Sequence, residues 1–289
     1  GYIPAKDFSH AAGTHKNWDY AFEKQWLFYM LWGRLLYDPS TSNQVFEAAF
    51  DKRYPINKGA LLFKAFSSAS QMPLRLASFY GATWDYTLYS EGFLAPFPSN
   101  GGLHDTVSSF ISVDELIDHP VLDPDYISIP DFIKWTIEKK KIAANKITPL
   151  SLANSLEADS KIVLDMVEQL RHGAQNTLAC ELDDLEVWAY LSCYFSDKLR
   201  AGVSLQMYRV TGEKEEQRKA IQLLTSCLMK WEKISTITSK HYQEVPYVDD
   251  HSSGGKAYRD ARRVSWSKYV PQVKRDIILA KNERLVIDK

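Results

Sequence analysis

Apolar positions recur at helical spacing along almost the whole chain, and period-two alternation is scarce. The densest stretch is "EKQWLFYMLWGRLLYDP", Glu23 to Pro39, where the residues from Trp26 to Trp32 are all apolar or aromatic. Asn17 or Asp19 is the predicted cap of a helix running to Tyr37, which Asp38-Pro39 ends. From Glu23 to Tyr37 such a helix is only ~22 Å long, well short of the ~20 apolar residues a bilayer needs. Trp26, Phe28, Tyr29 and Trp32 point in different directions around it, so the pattern predicts a helix surrounded by protein. Gly33 costs roughly 1 kcal/mol against Ala inside a helix, which predicts close packing there. Arg34 and Asp38 have the spacing of an ion pair across the helix end.

Further helices follow. Ser42 opens "NQVFEAAFDKRY", with Val45, Phe46, Ala49 and Phe50 on one face. Asn57 opens "KGALLFKAFSSASQMPLRLASFYG", which Pro73 is expected to kink or split. Ser112 and Glu115 form a capping box, and Ser128 with Asp131 caps "IPDFIKWTIEKKK". Lys139, Lys140 and Lys141 at its end read as a solvated terminus that suits the helix dipole. Thr148 caps and Pro149 begins a helix ended by Gly173. A long helix is predicted from about Leu182 to Val210, a turn at Gly212, another helix through Trp231, and a last one from Ser265 to Lys281. Two stretches break the pattern, 81–127 and 239–258. The prediction is an all-α fold of about eight helices in antiparallel pairs, a single domain over 1–289 with a possible sub-division at 127/128.

Composition narrows the function classes. Lys plus Arg (35) nearly equals Asp plus Glu (36) in 289 residues, so charge supplies no reason to expect nucleic acid or an anionic membrane. Eight Trp and sixteen Tyr fit aromatic-rich helices, and also fit rings that stack on sugar faces. Cys180, Cys193 and Cys227 show no metal spacing and read as buried free thiols, with a pairing of two of them left open for a secreted chain.

Candidate chemistry is thin. In "TWDYTLYSEG" the ring of Trp84 with Asp85, Tyr89 and Glu91 has the residue types of glycan recognition, and a carboxylate pair can run glycoside hydrolysis at the right separation. A loop packed on its own aromatics accounts for the same residues. Asp249, Asp250 and His251 are consecutive and read as an exposed loop rather than a metal site. Glu181, Asp183 and Asp184 fall in the predicted first turn of the long helix, where acids complement the dipole. His10, His15 and His104 lack metal spacing. No cofactor motif is present.

"GRLLYDP", "FEAAFDKRYP" and "LLFKAFSSASQMP" together resemble the region after the catalytic barrel in large secreted bacterial glycoside hydrolases, the α-glucuronidases and similar barrel enzymes. "YFSDKLRAGVSLQMYRVTGEKEEQRKAIQLLTSCLMKWEK" and "RRVSWSKYVPQVKRDIILAKN" are similar to the end of that helical domain. The resemblance implies a non-catalytic C-terminal domain that supports the barrel, closes its cleft or mediates a homodimer, in a secreted or periplasmic enzyme acting on oligo- or polysaccharide. Its partner would be a catalytic barrel of the same polypeptide. It assigns no catalytic residue, metal or cofactor here; the helix pattern itself makes Trp26, Trp32, Gly33, Arg34 and Asp38 structural. The first residue, Gly1, reads as a cut. A complete helical glycan-active enzyme and a stand-alone binding or scaffold protein are the alternatives.

Overall fold

The structure is a computed structural model, which describes residues 4–10, 18–79, 110–174, 176–246 and 263–282. Most of the predicted 81–127 loop, and with it Trp84, Asp85, Tyr89 and Glu91, lies outside the described residues, as do His15, His104 and Asp249 to His251.

The fold is all-α. The helices are α1 (Ala21–Lys24), α2 (Trp26–Tyr37), α3 (Asn43–Arg53), α4 (Gly59–Ala69), α5 (Gln71–Phe79), α6 (Val113–Asp118), α7 (Ile129–Ile137), α8 (Pro149–Arg171), α9 (Asn176–Thr211), α10 (Lys214–Thr238) and α11 (Val270–Asn282). A two-residue antiparallel ladder joins β1 (Val245–Pro246) to β2 (Arg263–Val264). The predicted first helix is broken at Gln25, and Glu23 rather than Asp19 closes its start, accepting from the backbone N–H groups of Asp19 and Tyr20; Asn17 lies outside the described residues. The split expected at Pro73 falls at Ser70, which lets the proline sit in the first turn of α5, where no intrahelical N–H is needed. Ser112, Ser128 and Thr148 all cap as predicted. Gly173 and Gly212 both take positive φ, the left-handed conformation that ends α8 and α9.

Three long helices, α8, α9 and α10, form the frame, joined by short turns and therefore antiparallel. Small residues draw α9 against α8. Ser192 and Ser196 donate to the carbonyls of Leu156 and Ala153 at 2.9 and 2.8 Å. Charged pairs fasten the rims: Arg200 to Glu157 at 2.6 Å, and Lys230 of α10 to Asp197 of α9.

The apolar interior falls in two clusters, and α9 contributes to both. One gathers Phe50, Leu62, Ala65, Val167, Leu170, Leu182 and Leu185 from α3, α4, α8 and α9. The other surrounds Trp231, which is fully buried; Tyr194 lies edge-on at 4.9 Å, and the indole N–H donates to the carbonyl of Trp266 at 2.8 Å. At α9's length of ~54 Å, one helix spans both cores. Cys180 and Cys227 are buried and Cys193 half-buried, and no disulfide joins them. Among the described residues no helix is long and apolar enough to cross a membrane.

Candidate functional site

After α10 the chain turns back on Thr238, whose carbonyl accepts from the N–H groups of His241 and Tyr242. Residues 241–243 then run antiparallel to 8–10. His10 N–H donates to the His241 carbonyl at 3.0 Å, Gln243 N–H to the Phe8 carbonyl at 3.1 Å, and the Ser9 hydroxyl to His241 O at 3.0 Å. This pins the amino-terminal segment beside the end of α10. Facing it is the 3₁₀ turn Trp266–Tyr269 that leads into α11. Between these walls lies a cleft of about 520 Å³ lined by the rings of Phe8, Tyr242, Trp266 and Tyr269, by Ser235, Thr238 and Ser239 of the α10 end, and by Glu244. That volume is in the range of small-ligand sites. Lys268 holds Glu244 at 3.0 Å.

Behind the cleft sits a buried charge cluster on the second and third turns of α9. The Tyr242 hydroxyl donates to both carboxylate oxygens of Asp184, at 2.7 and 2.8 Å, and Lys24 pairs with the same carboxylate. Burial of the ring and the Asp184 charge drive the Tyr242 hydroxyl far above the ordinary tyrosine range. Desolvation works against the Lys24 ammonium, but the charges of Asp184 and Glu181 prevail and raise its pKa. Glu181 is almost wholly enclosed; desolvation pushes its carboxyl up to about 7 against the pull of Lys24. Tyr54 donates to it at 3.4 Å. Next to it, burial tends to raise Asp183, yet hydrogen bonds from His241 and Arg171 win and hold it below the usual carboxylate range.

Glu181 has a pKa suited to proton transfer, but it is enclosed and is not part of the cleft wall. The cluster therefore fastens the amino-terminal segment and the post-α10 turn to α9. The placement of these acids differs from the sequence reading. The helix starts at Asn176 instead of Leu182, so Glu181, Asp183 and Asp184 lie beyond its first turn and answer to side-chain partners rather than to the dipole.

Of the remaining expected residues, Trp26 packs edge-on against Phe50 at 4.9 Å, with the Arg53 guanidinium over its ring. Trp32 is on the outside, 58% exposed. Nothing lies within 4 Å of where a Gly33 Cβ would stand, so the close packing expected there is absent. Asp38 turns to Ser40 rather than Arg34: its carboxylate accepts from the Ser40 N–H and hydroxyl at 2.9 and 2.6 Å, which hold its pKa below the ordinary value. His10 alone of the predicted histidines is described, and it lines the cleft. Sequence reasoning missed Tyr242, Trp266 and Tyr269. Their one signal was that aromatics stand within the 239–258 break and shortly after it. Among the described residues no group of three or more His, Cys, Asp or Glu is placed to hold a metal.

The fold defines a helical bundle of a kind found inside a much longer enzyme. Among solved structures the chain is similar to a GH138 enzyme targeting pectin rhamnogalacturonan II, with a TM-score of 0.67 and 15% identity; the match covers 95% of this chain and 39% of that one. The chain therefore has the fold of part of a glycoside hydrolase. No family model matches it, and no curated protein does.

Proposed function

We propose that the chain is a non-catalytic helical unit of a glycan-degrading enzyme, seated against a catalytic barrel of the same polypeptide through the outer face of α2. The observation that carries this reading is that face. Phe28, Tyr29, Trp32, Leu35 and Leu36 are all exposed, and Tyr37 is 91% exposed at the helix end. The rings form a continuous surface: Phe28 lies 5.3 Å from Tyr29 and 5.4 Å from Trp32. Trp26 and Leu27, on the other side, pack on the α3–α4 core. A contiguous apolar patch rimmed by polar residues marks an interaction site. The likeness to part of a glycoside hydrolase supports another unit of such an enzyme as the neighbour, and the match to 39% of that chain supports a longer polypeptide. A secreted or periplasmic setting and an oligo- or polysaccharide substrate belong to the same reading.

The test is to express the whole encoding reading frame and this chain separately, and assay both on pectic and other plant and algal glycans. The long form is expected to release sugar and the chain alone to release none. Trp32→Lys with Leu36→Lys should lower the activity and melting temperature of the long form while leaving the melting of the isolated chain unchanged. A reading frame without a barrel, or turnover by the chain alone that Glu91→Gln abolishes, would overturn the proposal. A concentration-dependent dimer sealed by α2 and lost in the double variant would replace the barrel with a second copy.

A further inference from the structure

We propose that the unit covering α2 seats an apolar side chain in a notch on that helix, over Gly33 and between Tyr29, Met30, Leu36 and Tyr37. The occupant rests on the reading above, that another unit of the same polypeptide lies against α2; the notch itself rests on geometry. Every other described glycine has a use inside the chain. Gly173 and Gly212 supply positive φ at the ends of α8 and α9. A Cβ added at Gly59 would collide with the Glu47 carbonyl oxygen, and one at Gly202 would stand 3.0 Å from Ile129 Cδ1 and 3.4 Å from Ile117 Cγ1. Gly33 lies in the interior of α2, where glycine is the least favourable residue after proline. Yet among the described residues no atom stands within 4 Å of its Cβ position, so the chain's own packing does not need the gap. Its neighbours on the helix surface, three and four residues to either side, are Tyr29, Met30, Leu36 and Tyr37: four large side chains around a missing one. Tyr29, Leu36 and Tyr37 are exposed and Met30 is half-buried. Trp26 stands seven residues earlier and so on the same side of the helix, where it packs on Phe50. Two turns further on, at Gly33, that cover has ended. A hole rimmed by four side chains takes a knob from a facing element. Rings, an isobutyl group and a thioether make the rim, so an apolar knob gains contact there, whereas a polar one gives up its water without a partner.

The experiment is hydrogen exchange read by mass spectrometry on peptides covering Trp26 to Tyr37, in the chain alone and in the product of the whole encoding reading frame. In wild type, exchange is expected to be slower in the long form, where α2 is covered. Gly33→Ala should act with opposite sign in the two. In the chain alone it should slow exchange by about 2- to 5-fold, the worth of replacing a glycine inside a helix. In the long form it should speed exchange by about 5-fold or more, because the added methyl group overpacks the notch. Gly33→Ser, which adds a hydroxyl to be buried, should speed it further in the long form. Slower exchange in both forms by the same factor would leave the notch empty and overturn the proposal. Faster exchange in the chain alone would fill the notch from this chain or from a second copy, and would overturn it as well. So would a smaller effect of Gly33→Ser than of Gly33→Ala in the long form, which would name a polar occupant. Failure of the notch and failure of the docked face give different results. If Trp32→Lys with Leu36→Lys removes the protection of α2 in the long form while Gly33→Ala slows exchange there, the docked face stands and the notch falls. If α2 exchanges alike in the two wild-type forms, the docked face falls, and the notch with it.

Discussion

Lys198 and Asp276 form a buried ion pair at 2.9 Å, each side chain no more than 3% exposed. It joins α9 to α11 inside the Trp231 core. The ammonium also donates to the Ile111 carbonyl and, at 3.0 Å, to the Tyr194 hydroxyl, and it stands 4.1 Å over the Phe110 ring. Asp276 accepts from the Val113 N–H, the first residue of α6, at 3.0 Å. Burial holds the Asp276 carboxyl above its ordinary range even though Lys198 pulls it down. Lys198→Met keeps the stem packing but strands a carboxylate in a medium of low dielectric. Removing one partner of a buried pair costs about 3–5 kcal/mol, a large share of the ~5–15 kcal/mol that holds a domain folded. Asp276→Asn strands the cation instead and should cost a similar amount. In Lys198→Met/Asp276→Asn no charge remains, and the amide oxygen still accepts from Val113. The double variant should cost about 1–3 kcal/mol, the worth of the unmade hydrogen bonds. The assay is urea unfolding followed by tryptophan fluorescence, with slopes compared to check that the transition stays two-state. The single Lys198→Met deficit should also shrink on acidification, since protonating Asp276 removes the stranded charge. A single-variant cost below about 1 kcal/mol, or a double-variant cost equal to the sum of the singles, would refute the reasoning.

Two further perturbations test other parts of the structure. Glu181 has a folded pKa of about 7 against 4.5 for the free group, so the folded state keeps a proton that the unfolded chain releases between those values. Its contribution therefore makes stability fall as pH rises from about 4.5 to about 7, by at most ~1.4 kcal/mol per pH unit; Glu181→Gln should remove that slope, and identical pH profiles of melting in wild type and variant would contradict it. Gly59 opens α4 against α3, where an added Cβ would collide with the Glu47 carbonyl oxygen and stand 2.8 Å from the Asp51 carboxyl. Because the obstacle includes backbone, Gly59→Ala should destabilise by about 1–3 kcal/mol, and a neutral result in chemical unfolding would show that the α3–α4 hairpin relaxes freely.

The helical register was legible because its signals are local. Ser112 with Glu115, Ser128 with Asp131 and Thr148 with Pro149 each satisfy orphan backbone groups within one turn, and all appear as read. Helix starts without such a cap were misjudged. The long helix begins at Asn176, six residues before the predicted Leu182, because nothing in "QNTLAC" punctuates it. The α2 run was legible as apolar but not as exposed: composition states that a face is greasy, and only packing states what covers it. The aromatic cleft was hidden because Phe8, Tyr242 and Trp266 come from opposite ends of the chain.

By itself, then, the chain determined that it is all-α, where most helices cap and turn, and that its charge is balanced, since these depend on neighbours within four residues and on totals. Tertiary structure alone decided that Lys198 meets Asp276 across 78 residues of sequence, that Glu181 is walled off from water, and that Trp32 is not. Each of those outcomes depends on which helix faces come into contact, and a one-dimensional pattern of apolar positions shows that a face must be covered without naming its partner.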